Sequence, residues 1–303
     1  MIDYNDSRRT FLRQAGAAVT ALLPFSGAVT AARAGCKPQF PGAGQDATDQ
    51  PVRETWWVSA DPHVGYPEYD EYLRTSVQDV NGLESDYAIV LGDLFEDDRS
   101  FLPQFLEEIG CLNHGWTYVL GNHDYDRKSQ RSSGAPILPV NYFSRQIGPV
   151  RIIALSDEML ENRSHVTELG RNQDRWFKDV LDDAPDMPTI IMTHHCPLTG
   201  RRSVSAFEEW LADDIRRYNI VLWIVGHAHR WAIDEELEGF GFDRIKVASL
   251  CRKHGDGRPC EGALLTIEAG QDRARISMRF RNHLRREWIS VLGREAYELE
   301  IES

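Results

Sequence analysis

From residue 55 onward the chain repeats one pattern: short apolar runs, each followed by a polar turn that often contains glycine. The runs are Thr55–Ala60, Tyr87–Leu91, Trp116–Leu120, Arg151–Leu155, Thr189–Thr193 and Ile220–Val225. They are rich in β-branched and aromatic residues and apolar almost throughout, the signature of strands covered on both faces. Between them, apolar residues recur at helical spacing. Tyr69, Tyr72, Leu73, Val77 and Val80 predict one helix, and Phe101, Phe105 and Ile109 a second. Asn172–Leu181 and Ala206–Tyr218 complete the set. Alternation of this kind predicts a layered α/β domain with mixed sheets. Near the end, Ala263–Glu268 and Arg273–Arg281 are strand-like. The second puts Ala274, Ile276, Met278 and Phe280 on one face and Arg273, Arg275, Arg279 and Arg281 on the other, as on a solvated edge strand.

The first 54 residues follow other rules. Arg8 and Arg9, then Phe11-Leu12, precede a soft apolar run of about 15 residues, Ala15–Val29, which is short of the roughly 20 needed to span a bilayer. Ala32-Arg33-Ala34 follows as a cleavage signal. The segment resembles a twin-arginine export signal. That implies a signal peptide over 1–34, passage through the twin-arginine translocase, and a periplasmic or secreted protein. Residues 35–54 read as a flexible lead-in rich in Pro, Gly and Asp, leaving 55–303 as the folded domain. Cys36 follows Ala34-Gly35 as in a lipoprotein box, but Arg33 stands where an aliphatic residue belongs, so a membrane anchor is expected only if Cys36 is lipidated.

The net charge of −13 over 303 residues argues against nucleic acid as a partner. Of the five cysteines, Cys111 reads as a core residue, and Cys251 and Cys260 flank a glycine-rich loop where they could pair in an oxidising compartment.

Chemistry concentrates directly after the strands. Asp61-Pro62-His63 follows the first, Gly92-Asp93 the second, Gly121-Asn122-His123-Asp124 the third, His194-His195 the fifth and Gly226-His227-Ala228-His229 the sixth. Ligands of open α/β sheets sit at the carboxyl ends of strands, so these clusters are expected around one rim. Carboxylate, amide oxygen and imidazole together suit first-row divalent metals such as Mn, Fe, Co, Ni or Zn.

These five clusters, in this order across residues 56–230, resemble the calcineurin-like metallophosphoesterase superfamily, whose pattern is DxH, GDxx, GNH followed by Asp or Glu, a lone strand-end His, and GHxH. Gln173 and Trp176 resemble the Gln-x-x-Trp helix often found before the lone His. The resemblance implies a layered αββα sandwich with mixed sheets and hydrolysis of a small phosphoester with two divalent metal ions. It implies that Asp61, His63 and His229 hold one ion, that Asn122, His194 and His227 hold the other, and that Asp93 bridges them. His123 is then the proton donor, oriented by Asp124. His195, two residues before Pro197, is the alternative to His194 as ligand or else a residue facing the substrate. No Tyr adjoins Asp93, so a mixed-valence purple site is not expected.

Small phosphodiesters in the cell envelope are the expected substrates, with a phosphate-scavenging phosphomonoesterase as the alternative and a non-catalytic metal-binding protein as a more distant one. The acidic run Glu96-Asp97-Asp98 disfavours a long polyanion at that edge. The segment from Tyr125 to Pro149, with Arg127, Lys128 and Arg131, is either a substrate lip or a solvated loop, and His254 sits in a glycine-rich loop that could approach the metals.

Overall fold

The computed structural model describes residues 52–302 except 66, 127–135, 158–167, 197, 199–213, 238, 252–258 and 272. The described residues all belong to one compact unit. The signal segment, Cys36, most of the predicted helix Ala206–Tyr218, the basic residues 127, 128 and 131, and His254 all lie outside the described residues.

Two sheets carry the fold. The strands are β1 (Val52–Ser59), β2 (Tyr87–Leu91), β3 (Gly115–Val119), β4 (Phe143–Ile147), β5 (Val150–Ala154), β6 (Thr189–Thr193), β7 (Ile220–Val225), β8 (Ala232–Asp234), β9 (Asp243–Lys246), β10 (Glu261–Ala269), β11 (Arg273–Asn282), β12 (Glu287–Ile289) and β13 (Ala296–Glu302). One sheet runs β12-β11-β10-β1-β2-β3, with β13 also paired to β11; the other runs β4-β5-β6-β7-β9-β8. In each, the strands that precede the chemical clusters run parallel: β1, β2 and β3 in the first, β5, β6, β7 and β9 in the second. Parallel pairing brings their carboxyl ends to the same side of each sheet.

The period of two along each strand separates three apolar layers. Trp56, Val58, Ile89, Ile152, Ile190, Leu222, Ile224 and Leu265 pack between the sheets. Trp57, Ala88 and Val90 face the other way, against the helices α1 (Pro67–Val80) and α2 (Leu102–Ile109), through Leu73, Val77, Phe105 and Ile109. Ile153, Ile191 and Trp223 face away from the first sheet, against Phe177 and Leu181 of α3 (Glu168–Asp183). The result is the expected layered αββα sandwich with mixed sheets.

Three expectations change. The span from Tyr125 to Pro149 contains a strand, β4, antiparallel to β5. β11 is an interior strand, and its Arg281 is buried, giving two hydrogen bonds of 2.8 Å to Asp79. Cys111 is exposed, and Cys251 and Cys260 are both free thiols in the interior rather than a disulfide. Among the described residues no helix is long and apolar enough to cross a membrane.

The Arg281 ion pair belongs to a larger buried network. His283 Nδ1 lies 2.9 Å from Asp79, and Trp57 Nε1 donates to His283 Nε2 at 3.1 Å. Burial alone would raise Asp79, but the bonds from Arg281 and His283 outweigh it and pull the carboxyl down to about 2. A folded-state pKa below the unfolded value gives stability that is present above pH 4 and fades as pH falls towards 2. Asp79→Asn is therefore expected to cost about 3 kcal/mol in urea unfolding at pH 7, because it strands Arg281 in the interior. The gap to the wild type should narrow between pH 4 and pH 2; a pH-independent gap would contradict this account.

Candidate metal centre

Every cluster stands where a parallel strand gives out, and the backbone there is unusual. Asp61, His63, Asp93, His227 and His229 all adopt the left-handed region, with φ between 46° and 60°. Non-glycine residues rarely go there, at a cost of about 1 kcal/mol or more each. The turns are laced together: Asp61 N donates to Gly92 O at 3.1 Å, His63 N to Asp93 O at 3.0 Å, and Gly226 N to His194 O at 3.1 Å. These bonds hold the strained turns in place and aim the five side chains into one centre. Glycine is required at three of these turns: Gly92 has φ +74°, and a Cβ there would stand 2.6 Å from His194 Nδ1. A Cβ on Gly121 would stand 2.4 Å from Asp93 Oδ1, and one on Gly226 would stand 2.6 Å from Leu91 O.

The side chains meet as lone pair against lone pair. His63 Nδ1 is 2.8 Å from Glu96 Oε2, which fixes a proton on Nδ1 and leaves Nε2 as an acceptor. That Nε2 faces His229 Nε2 at 3.3 Å and Asp93 Oδ2 at 3.6 Å. His194 Nδ1 donates to Leu91 O at 2.8 Å, and its Nε2 faces Asp93 Oδ2 at 3.2 Å and Asn122 Oδ1 at 3.3 Å. Asp61 Oδ1 is fully buried and accepts no hydrogen bond, although Oδ2 takes one from His227 N at 3.0 Å. Acceptors converge on acceptors around two points, as ligands do around cations.

The electrostatics agree. Burial works against charge at Asp93, but His194 and His63 overcome it and hold the carboxylate well below its usual range. His229 is lowered by burial but lifted more strongly by Asp61 and Cys251, to about 10, which marks a position that favours positive charge. His227 is pushed down to about 4 by burial and by His195 and His194 beside it, which keeps its lone pair available. The groups Asp61, His63, Asp93, His229 and His194, His195, His227 each bring ligand atoms within 4.8 Å of one another. The centre fits two divalent metal ions, with Asp93 reaching both clusters.

Several roles differ from those the resemblance implied. The carboxylate on His123 Nδ1 is Asp97, at 3.1 Å, with Glu96 at 4.0 Å. Asp124 is completely buried and accepts from Leu94 N, Phe95 N and Gly121 N at 2.7, 3.2 and 2.7 Å. It ties the β2 turn to the β3 turn and does not hold the His123 ring. His194 and His195 both reach the centre, in different ways: His195 pairs through Nδ1 with Asp157, and its ring lies 3.7 Å from that of His227. Gln173 sets this pair up by bonding both backbone groups of Ser156, at 2.9 and 2.8 Å. Glu96, Asp97, Asp157 and Cys251 were not assigned to the site from sequence. For the first two the signal was present, since they stand three and four residues after Asp93 in the same strand-end turn.

The calcineurin-like phosphoesterase family matches residues 55–231. A Bos taurus transmembrane protein with metallophosphoesterase domain is 27% identical over 184 residues, covering 55% of this chain and 37% of that protein. The 3',5'-cyclic adenosine monophosphate phosphodiesterase CpdA of Escherichia coli K12 is 32% identical over 117 residues, covering 38% of this chain and 42% of that protein. The chain thus spans well under half the length of these curated relatives. Among solved structures, a dimetal phosphatase from Danio rerio aligns with a TM-score of 0.54 at 15% identity, covering 82% of this chain and 98% of that one. GAP50, described as the anchor in the inner membrane complex of Plasmodium, aligns with a TM-score of 0.56 at 12% identity, covering 83% and 90%. These two share the fold. With the family match covering more than half of its length, and with the five clusters gathered at one rim, the chain belongs to the calcineurin-like phosphoesterase family.

Proposed function

We propose that the protein is a two-metal phosphoesterase that hydrolyses small phosphodiesters in the cell envelope. The observation that carries this is the convergence of buried acceptors, with His63 Nε2 against His229 Nε2 at 3.3 Å and Asp61 Oδ1 without a donor. Asp61, His63 and His229 hold one ion, Asn122, His194 and His227 the other, and Asp93 spans both. When bound, two such ions supply Lewis-acid charge to phosphoryl oxygens and make water more acidic.

The remaining roles belong to the chain's own side chains. His123 is partly exposed, with its side chain 24% accessible, and Asp97 engages its Nδ1. This leaves Nε2 to deliver a proton to the leaving oxygen, and Asp97 stabilises the ring while it is charged. Glu96 orients His63 through Nδ1, and Asp124 fixes the turn that carries Asn122 and His123. His195, held by Asp157, faces the substrate beside His227. The choice of a diester is supported by the similarity to the E. coli phosphodiesterase. Export is supported by the sequence alone, through Arg8, Arg9 and the apolar run after them.

Three measurements test these points. On fully metallated protein, aryl phosphodiesters and cyclic nucleotides should be turned over faster than aryl phosphomonoesters. His123→Ala should lower kcat by about 10² to 10⁴, and Asp97→Asn by less. A preference for monoesters would replace the diester reading, and no turnover with two metals bound would make the chain a non-catalytic binder. Gly121→Ala should displace Asp93 and lower bound metal per chain in elemental analysis, with the far-ultraviolet circular dichroism unchanged. Changing Arg8 and Arg9 together to Lys should keep the chain in the cytoplasm; a processed periplasmic product from that variant would rule out the twin-arginine route.

A further inference from the structure

The first metal position has a fourth kind of donor beside it. One ring nitrogen each of His63 and His229 and the Sγ of Cys251 lie within 4.8 Å of one another, and all three residues are buried. Two ligands of one zinc ion, at about 2.1 Å for nitrogen and 2.3 Å for sulfur, are at most about 4.4 Å apart. The three atoms are already close to that spacing. Asp61 Oδ1, the buried carboxylate oxygen that accepts no hydrogen bond, belongs to the same corner, 3.2 Å from His229 Nε2.

Backbone bonding holds the thiol in this register. Leu250 N donates to Ala60 O at 2.9 Å and Cys251 N to Asp61 O at 3.3 Å, so the segment that carries the thiol is tied to the turn that carries Asp61. Ser249 Oγ lies 3.4 Å from Sγ. A free buried cysteine is most often a small apolar filler among aliphatic neighbours. Cys251 instead adjoins two imidazoles. Cys260 makes the contrast: its Sγ–H donates to Tyr72 O at 3.7 Å, and among the described residues it joins no group able to hold a metal.

We infer that Cys251 supplies a thiolate to the ion held by His63 and His229, and that this position therefore selects a thiophilic metal, zinc or ferrous iron, over manganese. The inference rests on the preceding assignment of His63 and His229 as ligands. Thiolate is a soft donor, and exchanging it for oxygen shifts preference towards harder ions. The Asp, His, His and bridging Asp set alone already holds manganese more weakly than iron or zinc, and a sulfur in the same shell widens that gap.

Cobalt(II) loading of the full chain separates the two claims. Visible d–d bands report cobalt in the His and carboxylate site, and a near-ultraviolet thiolate-to-cobalt charge-transfer band reports sulfur bound to it. The wild type should show both. Cys251→Ser should keep the d–d bands and lose the charge-transfer band, while Cys260→Ser and Cys196→Ser should keep both. In zinc–manganese competition read by elemental analysis, Cys251→Ser should lower the preference for zinc by about 10-fold. Wild-type protein with d–d bands and no charge-transfer band overturns the inference without needing any variant, as does a charge-transfer band that survives Cys251→Ser. A chain that takes up no cobalt overturns the two-metal reading itself, a different result from either.

Discussion

Mutual repulsion among buried acceptors is the constraint on which the rest of the site depends. Asp61, Asp93 and the inward nitrogens of His63, His194 and His229 present negative charge or lone pairs to one another inside a space that excludes water. In a low-dielectric interior such a cluster is costly unless cations or protons neutralise it. The outer contacts restrict where protons can go. Glu96 takes the Nδ1 proton of His63, and Leu91 O takes that of His194. The inward nitrogens of His63 and His194 are thereby left facing the carboxylates, and the cluster is completed by positive charge.

The fold maintains this arrangement by spending backbone strain where hydrogen bonds can hold it. Five of the residues turned inward have positive φ, and each stands in a turn bonded to a neighbouring turn or clamped by a buried carboxylate. Asp124 is the central clamp, since its three backbone donors come from the turns after β2 and β3. Strained residues at functional sites persist only when their surroundings over-determine them, and here the surroundings are the adjacent strand ends.

The sequence displayed the parts of this site that depend on local pattern. Strand ends, glycine turns and the order of Asp, Asn and His are all local features, so β2, β6 and β7 begin and end where their apolar runs do. Features that depend on long-range contact were hidden. Arg281 looked solvated by alternation, yet it pairs with Asp79 some 202 residues away. Asp97 rather than Asp124 engages His123 because a left-handed turn at Asp97 swings its carboxylate back to the ring, which spacing along the chain does not encode. Strands β8 and β9 are short and polar at their edges, and β9 is a strand because it pairs with β7 on one side and β8 on the other. Missing β9 also hid Cys251, which follows it on the same side of the fold as the other strand-end clusters.

The two halves of the centre are attached to different sheets. Asp61, His63, Asp93 and Asn122 follow strands of the first, and His194, His227 and His229 follow strands of the second. The spacing between the clusters is therefore a measure of how the sheets sit on each other. A slip of one residue along a strand is about 3.3 Å, as large as the whole separation between His63 Nε2 and His229 Nε2. Trp56, Ile89, Leu222 and Ile224, packed between the sheets, act as the spacers of that caliper. The tuning of the metal pair is thus written partly in the volumes of hydrocarbon side chains that never touch an ion.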